Sequence, residues 1–358
     1  MKVCILLLLM VLLFSSVSAQ KIEWEKELTG CDHLTMLNDA GGNVVIVGNY
    51  YHPLQFGGKT YSAAGNYGIF LFTISPEGSV LLSKPLDVSG QEEYFLMRLD
   101  SKNNIYLSYS KEDTVHLRKY NSTADLIWER TFICSENSFF RTEDLLVGSD
   151  ENIYITGGFK GRIVQDNTEL STGADTDAFL AKLTKDGNLS WVRGFQSNWN
   201  ASGGSLNLDR DNNIVVLGGY RGKLLLNGEN FQSIGSYDVF IAKFDKNGKP
   251  MWAKSAGGNN KEVATKIVTD TKGNYYVTGT FWGDAIFGKT KLKSKGKTDI
   301  FLSKLDKNGN FEWTKGFGSK DKEAGTQLFI SNEGLLHLFS GIQPGTDRGT
   351  DEHHVGYN

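Results

Sequence analysis

The pattern of apolar residues is clearest between residues 263 and 315, where four short apolar runs predict four β-strands. Strand A covers residues 263–269, strand B residues 274–281, strand C residues 299–305 and strand D residues 310–315. The turns after strands A and C carry Asn, Asp and Gly, which supply the positive φ that tight hairpins need. Strand C is apolar at consecutive positions, which is typical of a strand covered on both faces. We expect residues 283–297, between B and C, to form a long loop.

This unit recurs along the chain with a period of 61 residues. Strand B repeats around Asn43, Asn104, Asn152, Asn213, Asn274 and Leu335. Strand D repeats around Trp24, Leu82, Trp128, Trp191, Trp252 and Trp313. The recurring position in strand C precedes the recurring position in strand D by 9 residues in all five cases, which chance does not produce. Repeats of this length predict a solenoid or a propeller, and four strands with two tight hairpins are typical of a propeller blade.

The six occurrences of strand B and the six of strand D predict a six-bladed β-propeller with four-stranded antiparallel blades. The chain opens on a lone strand D at Trp24 and ends on strands A and B, followed by a weak strand C over residues 350–357. The two ends therefore complete one blade, and the N-terminal strand closes the ring and removes free sheet edges. We expect one propeller domain over residues 20–358, built from six repeats of about 61 residues.

The repeated motif resembles a known family. Residues 273–281 read Gly-Asn-Tyr-Tyr-Val-Thr-Gly-Thr-Phe, and Asp299, Phe301, Lys304 and Trp313 continue the motif. This looks like the SBBP family of β-propeller repeats, common in secreted bacterial proteins, and the resemblance covers nearly the whole chain after residue 19. It implies a propeller fold and an exported protein. It implies no catalytic residues, because the family motif is structural.

Residues 1–19 have the features of a secretory signal peptide. Lys2 precedes an apolar run of 12 residues, and Val17, Ser18 and Ala19 form a permissible cleavage triplet. Twelve residues are too few to span a bilayer, so we expect a secreted, periplasmic or cell-surface protein without an integral membrane segment. A net charge of −3 gives no basic field for nucleic acid.

The chemistry-bearing residues give no catalytic or metal motif. Nucleophile elbows, phosphate loops and zinc-type Cys/His spacings are absent from the sequence, so we predict no cofactor and no metal. The Asp-Lys-Asn-Gly turns offer too few oxygens for calcium and are interpreted as hairpin turns. After cleavage two cysteines remain, Cys31 and Cys134, and equivalent corners of different blades should keep them apart.

Polar residues on strand A give the candidate ligand site. Strand A lines the central channel of a propeller, so carboxylates near its start should ring the channel entrance, and polar residues further along should line it. The entrance residues are Glu92, Glu262 and Glu323, and the lining residues are Arg98, Asp144, Asn207, Lys266 and Gln327. A solvated channel needs polar residues in any case, and this interpretation stands beside that of a ligand site.

The predicted function is a non-catalytic, exported binding or scaffold module for a protein or a carbohydrate, and we expect a monomer. The alternative is a propeller enzyme, a metal-assisted hydrolase or lyase acting at the channel mouth. The two hypotheses differ in the expected response to metal. A metal-assisted enzyme should be stabilised by its metal, because ligands that bind the folded state stabilise it.

Overall fold

The computed structural model describes residues 28–56, 59–61, 68–86, 95–111, 113–135, 139–165, 168–172, 175–331, 333–343 and 352–357. All regular secondary structure in these residues is β-strand, which confirms the predicted all-β class. No helix in this part of the chain has the length and apolar character needed to cross a membrane. The chain divides into two compact units, the first containing Met1–Lys111 and His116–Thr131 and the second Glu112–Val115 and Phe132–Asn358.

The first two repeats each form one antiparallel sheet. The first sheet contains β1 (Thr29–Asn38), β2 (Val44–Phe56), β3 (Lys59–Tyr61), β4 (Gly68–Ile74) and β5 (Val80–Leu86). The second contains β6 (Phe95–Leu99), β7 (Ile105–Lys111), β8 (Thr114–Tyr120) and β9 (Leu126–Ile133). Strand order follows the sequence in both sheets, with β3 paired to β2 at the side. Val47, Leu71, Met97 and Leu107 are fully buried in one core of the first unit.

The third, fourth and fifth repeats have the same plan of strands A, B, C and D. The third contains β10 (Phe139–Val147), β11 (Ile153–Lys160), β12 (Arg162–Gln165), β13 (Thr168–Ser171), β14 (Asp177–Leu183) and β15 (Leu189–Ser197). The fourth contains β16 (Asn200–Leu208), β17 (Ile214–Arg221), β18 (Lys223–Leu226), β19 (Glu229–Gln232), β20 (Asp238–Phe244) and β21 (Pro250–Gly258). The fifth contains β22 (Glu262–Thr269), β23 (Tyr275–Phe281), β24 (Asp284–Phe287), β25 (Thr290–Lys293), β26 (Asp299–Leu305) and β27 (Phe311–Phe317).

The expectation of a long loop between strands B and C is wrong. In the third, fourth and fifth repeats this segment folds into a short hairpin, such as β24–β25. The hairpin β18–β19 pairs with β15, and β24–β25 pairs with β21, so each extends the sheet of the preceding repeat. Asn227 and Gly228 have φ of 56° and 80°, the left-handed pair that a two-residue hairpin turn needs. Leu224 and Leu226 point inward and are buried.

The sixth repeat has strand A as β28 (Lys322–Ile330), strand B as β29 (Leu336–Gln343) and strand C as β30 (Glu352–Tyr357). They pair in the order β28-β29-β30. The predicted closing strand around Trp24 lies outside the described residues. The blade number and the ring closure therefore stay predictions.

Neighbouring sheets of the second unit pack through their strands A and their tryptophans. Strand β10 packs on β16, β16 on β22 and β22 on β28. Trp191 lies against Gly248 and Trp252 against Gly309, each glycine being in the C–D turn of the next repeat. A Cβ at these glycines would lie 2.9 Å and 2.7 Å from the indole rings. The tryptophans of strand D therefore pack between neighbouring repeats.

The Asp-rich turns use their carboxylates internally. Asp306 Oδ1 accepts hydrogen bonds from the amides of Asn308 and Asn310, at 2.8 Å each, and Oδ2 accepts one from Asn310 Nδ2 at 2.9 Å. Asp270 makes the same contacts with Lys272 and Asn274. These side chains hold hairpin turns, which agrees with the interpretation from sequence.

Candidate functional site

Three of the predicted lining residues meet where strands A of neighbouring sheets touch. Asp144 Oδ2 accepts a hydrogen bond from the Leu206 amide at 2.8 Å and lies 3.9 Å from Lys266 Nζ. Asn207 Nδ2 donates to the carbonyl of Ile267 at 3.3 Å. Asp144 and Asn207 thus use polar atoms to satisfy the backbone of the next sheet, which is a structural task.

The other two predicted lining residues lie on strands A of other repeats. Gln327 is exposed on β28, one repeat beyond Lys266. Arg98 is half-buried on β6 of the first unit, where its Nη1 donates to the carbonyl of Met97 at 2.8 Å. Glu92 lies outside the described residues.

The structure places Glu262 and Glu323 in the interior, with exposed fractions of 1% and 4%. Glu262 Oε2 accepts a hydrogen bond from the amide of Gly258 at 2.8 Å. Glu323 Oε1 accepts two, from the amide and the hydroxyl of Ser319, at 2.8 and 2.7 Å. The second oxygen of each, Glu262 Oε1 and Glu323 Oε2, is buried without a hydrogen-bond partner. Both carboxylates therefore lie beneath the surface, where a substrate has no direct contact with them.

Each buried glutamate lies beside an aspartate from strand C of the preceding repeat. Asp238, 1% exposed, precedes Glu262, and Asp299, 2% exposed, precedes Glu323. A Cβ on Gly257 would overlap the Asp238 carboxyl group, and one on Gly318 would overlap that of Asp299. Only glycine, which has no Cβ, lets the carboxyl group come this close to the backbone at both positions. The equivalent junction one repeat earlier has Asp177 but carries Ala201 in place of the glutamate, and Asp177 accepts the Ser197 amide directly.

These carboxyl pairs have perturbed protonation. Burial, reinforced by the charge of Asp238, raises the pKa of Glu262 to about 7. Burial also raises the pKa of Asp238. At the next junction burial raises the pKa of Asp299, and the charge of Glu323 adds to the effect. In the first pair, a raised pKa of about 7 favours retention of a proton on Glu262 near neutral pH.

The ends of strands B form one edge of the second unit, above the buried pairs. At this edge, residues that are paired across adjacent strands form a row. Bridges between neighbouring sheets, Thr176–Asn200, Tyr237–Lys261 and Thr298–Lys322, join the ladders of the separate sheets. We call this row the rim row. It has ten positions: the ladder pairs Phe139–Lys160 and Asn200–Arg221, the three bridged pairs, and Trp282, one residue beyond the ladder pair Phe281–Asp299. It contains four cations, three aromatic rings and no carboxylate.

The rim row and the loop beside it present aromatic rings to solvent. Trp282 is 51% exposed, and Trp199, in the loop just before the row, is 44% exposed. The Arg221 guanidinium stacks on Trp199 at 3.5 Å from the ring centroid, and Lys261 Nζ lies 5.6 Å from that of Tyr237. Cation–π contacts of this kind fix the orientation of both partners. The result is a rigid, solvent-facing surface of rings and positive charges.

Sequence reasoning missed the rim row, although its positions recur at steps of 61 residues, because the residue types at these positions differ from repeat to repeat and meet only through bridges between sheets. The exposed Trp199 and Trp282 fall outside the tryptophan column of strand D, and that departure was the available signal. Elsewhere, a cavity of about 20 Å³ among apolar side chains of the third sheet has room for about one water molecule. Among the residues that the structure describes, no group of three or more Asp, Glu, His or Cys is arranged to hold a metal ion.

Comparison with known proteins gives distant similarities. No family model matches the chain. The chain is 25% identical over 202 residues to the regulatory protein FlaEY of Caulobacter vibrioides, which covers 53% of this chain and 21% of that protein. It is 25% identical over 173 residues to an uncharacterized WD repeat-containing protein of Acanthamoeba polyphaga mimivirus, which covers 40% of this chain and 12% of that protein. The chain therefore matches only a minor part of either relative.

Solved structures that resemble the chain do so at low identity. A subtype N10 neuraminidase-like protein of A/little yellow-shouldered bat/Guatemala aligns with 92% of this chain and 95% of its own, at a TM-score of 0.45 and 10% identity. A member of the duf4221 family from Bacteroides vulgatus aligns with 90% and 93%, at a TM-score of 0.40 and 14% identity.

Proposed function

We propose that this chain is an exported, non-catalytic binding or scaffold module for a protein or a carbohydrate, built as a six-bladed β-propeller of SBBP type. Residues 1–19 direct export, and the N-terminal strand around Trp24 closes the ring. The period of 61 residues, the sheets of strands A to D in the first five repeats and the packing of neighbouring strands A within the second unit support this architecture.

One observation carries the functional proposal: the rim row exposes rings and charges, whereas the carboxylates that resemble catalytic acids are buried. Catalytic acids need a perturbed pKa and contact with the reacting atoms. Glu262 has the first and lacks the second, because it is 1% exposed. Trp199, which Arg221 contacts from one side, and Trp282 are 44% and 51% exposed, and exposed tryptophans are frequent energetic centres of binding surfaces.

The test is a glycan array combined with a protein pull-down on residues 20–358. The double variant Trp199→Ala/Trp282→Ala should lose most of the binding seen with the wild type. The control is Met251→Ala, a residue 52% exposed on β21 and outside the rim row. Binding that is unchanged in the tryptophan double variant would contradict the proposal, and so would the absence of any ligand in both assays.

A further inference from the structure

Exposed positive charge beside the rim row is densest at the junction between the fifth and sixth sheets. Four exposed lysines meet there, two from the segment before β26 and two from the segment before and at the start of β28. We call them the lysine cluster: Lys295, Lys297, Lys320 and Lys322. The preceding junction has Ile234, Ser236, Asn259 and Lys261 at the matching positions, so the charge belongs to one junction and is not a consequence of the repeat.

Backbone contacts hold the two lysine-bearing segments together. The amide of Lys297 donates to the carbonyl of Asp321 at 3.3 Å, and that of Glu323 donates to the carbonyl of Thr298 at 3.0 Å. Gly296 is packed on the backbone of Lys320 and Asp321, where a Cβ would lie 2.6 Å from three of their atoms. The backbone segments that carry the four lysines are therefore held against each other at this junction.

Trp282 completes the surface. It follows Phe281, whose ladder partner is Asp299, and so extends this ladder by one residue toward Thr298, which is bridged to Lys322. With strands about 4.8 Å apart, the backbone of Trp282 lies roughly 10 Å from that of Lys322 along the row. A flat, half-exposed ring beside a group of cations matches a ligand that has both apolar faces and negative charge.

We propose that the lysine cluster and Trp282 bind an anionic saccharide, one carrying carboxylate or sulfate groups. This rests on the proposed binding function and names its ligand class. Sugar rings stack on tryptophan through their C–H faces, and the lysines pair with the acidic groups.

A nucleic acid fits the charge pattern less well. Duplex DNA carries one negative charge per about 1.7 Å of axis and needs a continuous basic track. Beyond the cluster, the next cations in the rim row are Lys261, Arg221 and Lys160, separated by two or three strands, or roughly 10–14 Å. Neutral Thr and Asn side chains lie between them. The net charge of −3 also opposes binding of a dense polyanion.

The experiment measures affinity of residues 20–358 for three probes: polygalacturonate, its fully methyl-esterified form, and single-stranded oligo(dT). We expect binding to polygalacturonate that weakens with salt, and at least about tenfold weaker binding to the uncharged ester. Lys320→Gln/Lys322→Gln should lose about tenfold in affinity. The number of counterions released on binding, read from the slope of log affinity against log salt, should fall by about two. The matched control is Lys272→Gln/Lys307→Gln, which removes two exposed lysines from turns at the other end of the strands. Thermal unfolding verifies that every variant is folded.

Three outcomes would overturn the inference. These are equal binding of the ester, equal or tighter binding of oligo(dT), and equal losses in the cluster and control variants. If the array or pull-down finds a tryptophan-dependent ligand that is neutral, this inference fails while the proposed binding function stands. If neither experiment finds a ligand, both fail.

Discussion

Replacement of Glu262 by glutamine should stabilise the protein at alkaline pH, which is unusual for a change at a fully buried position. Glutamine has the shape of a protonated glutamate and no charge. Its carbonyl can keep the hydrogen bond from the Gly258 amide. The variant therefore removes the cost of ionising a carboxylate that is buried beside Asp238, and its amide nitrogen takes the place of Oε1, which has no hydrogen-bond partner.

The magnitude follows from the pKa. Glu262 has a usual pKa of 4.5 and a folded-state pKa of about 7. The folded state therefore holds more protons than the unfolded state between these values, and stability falls as pH rises through this window. At 1.36 kcal/mol for each pKa unit, the loss amounts to about 3 kcal/mol above pH 7 and vanishes below pH 4.5.

The assay is urea unfolding followed by tryptophan fluorescence at pH 5, 6, 7 and 8. The wild type should lose stability across this series, and Glu262→Gln should lose less and exceed the wild type at pH 8. Glu229→Gln, an exposed position on β19, is the control and should follow the wild type. If Glu262→Gln is less stable than the wild type at pH 8, or keeps the full pH dependence, the assignment of a retained proton is refuted.

Two further predictions concern the packing of single residues. Gly257→Ala should destabilise the protein by about 1–3 kcal/mol, because its methyl group would overlap the Asp238 carboxyl group. In Gly204→Ala the methyl group meets no atom closer than 3.8 Å, so this control should cost less. The midpoints of urea unfolding of the two variants test this difference. Cys31 and Cys134 are both buried, and we expect denaturation without reductant to expose two alkylatable thiols by mass spectrometry. A Cys31–Cys134 bridge would contradict the blade assignment.

The strands of each repeat could be predicted from the sequence because their signals are local. Strand C of the fifth repeat was placed at residues 299–305, and β26 has these bounds. Strand B was placed at residues 274–281, and β23 spans Tyr275–Phe281. Alternation, apolar runs and Asn-Gly turns are all read within a few residues. The B–C hairpins were missed although Asn227-Gly228 carried the signal, because their strands have only four residues each.

The site depended on contacts between repeats, which a sequence does not display. Glu262 was placed at a channel entrance from its position before strand A, whereas its burial depends on Asp238 and on the hairpin that extends the neighbouring sheet. The rim row likewise depends on bridges such as Tyr237–Lys261 between sheets. Repeat periodicity predicts what neighbouring units share, and the lysine cluster is a feature in which they differ.

The central claim, a closed six-bladed ring, is tested most directly by comparing Trp24→Ala with Trp191→Ala in urea unfolding. Truncation of a packed aromatic side chain costs about 3–5 kcal/mol. If the N-terminal strand completes the sixth sheet, Trp24→Ala removes the seam between the first and last repeats and should cost at least as much as Trp191→Ala. Chain termini usually tolerate substitution. A Trp24→Ala variant that unfolds like the wild type, beside a clearly destabilised Trp191→Ala, would show that this strand does not close the ring.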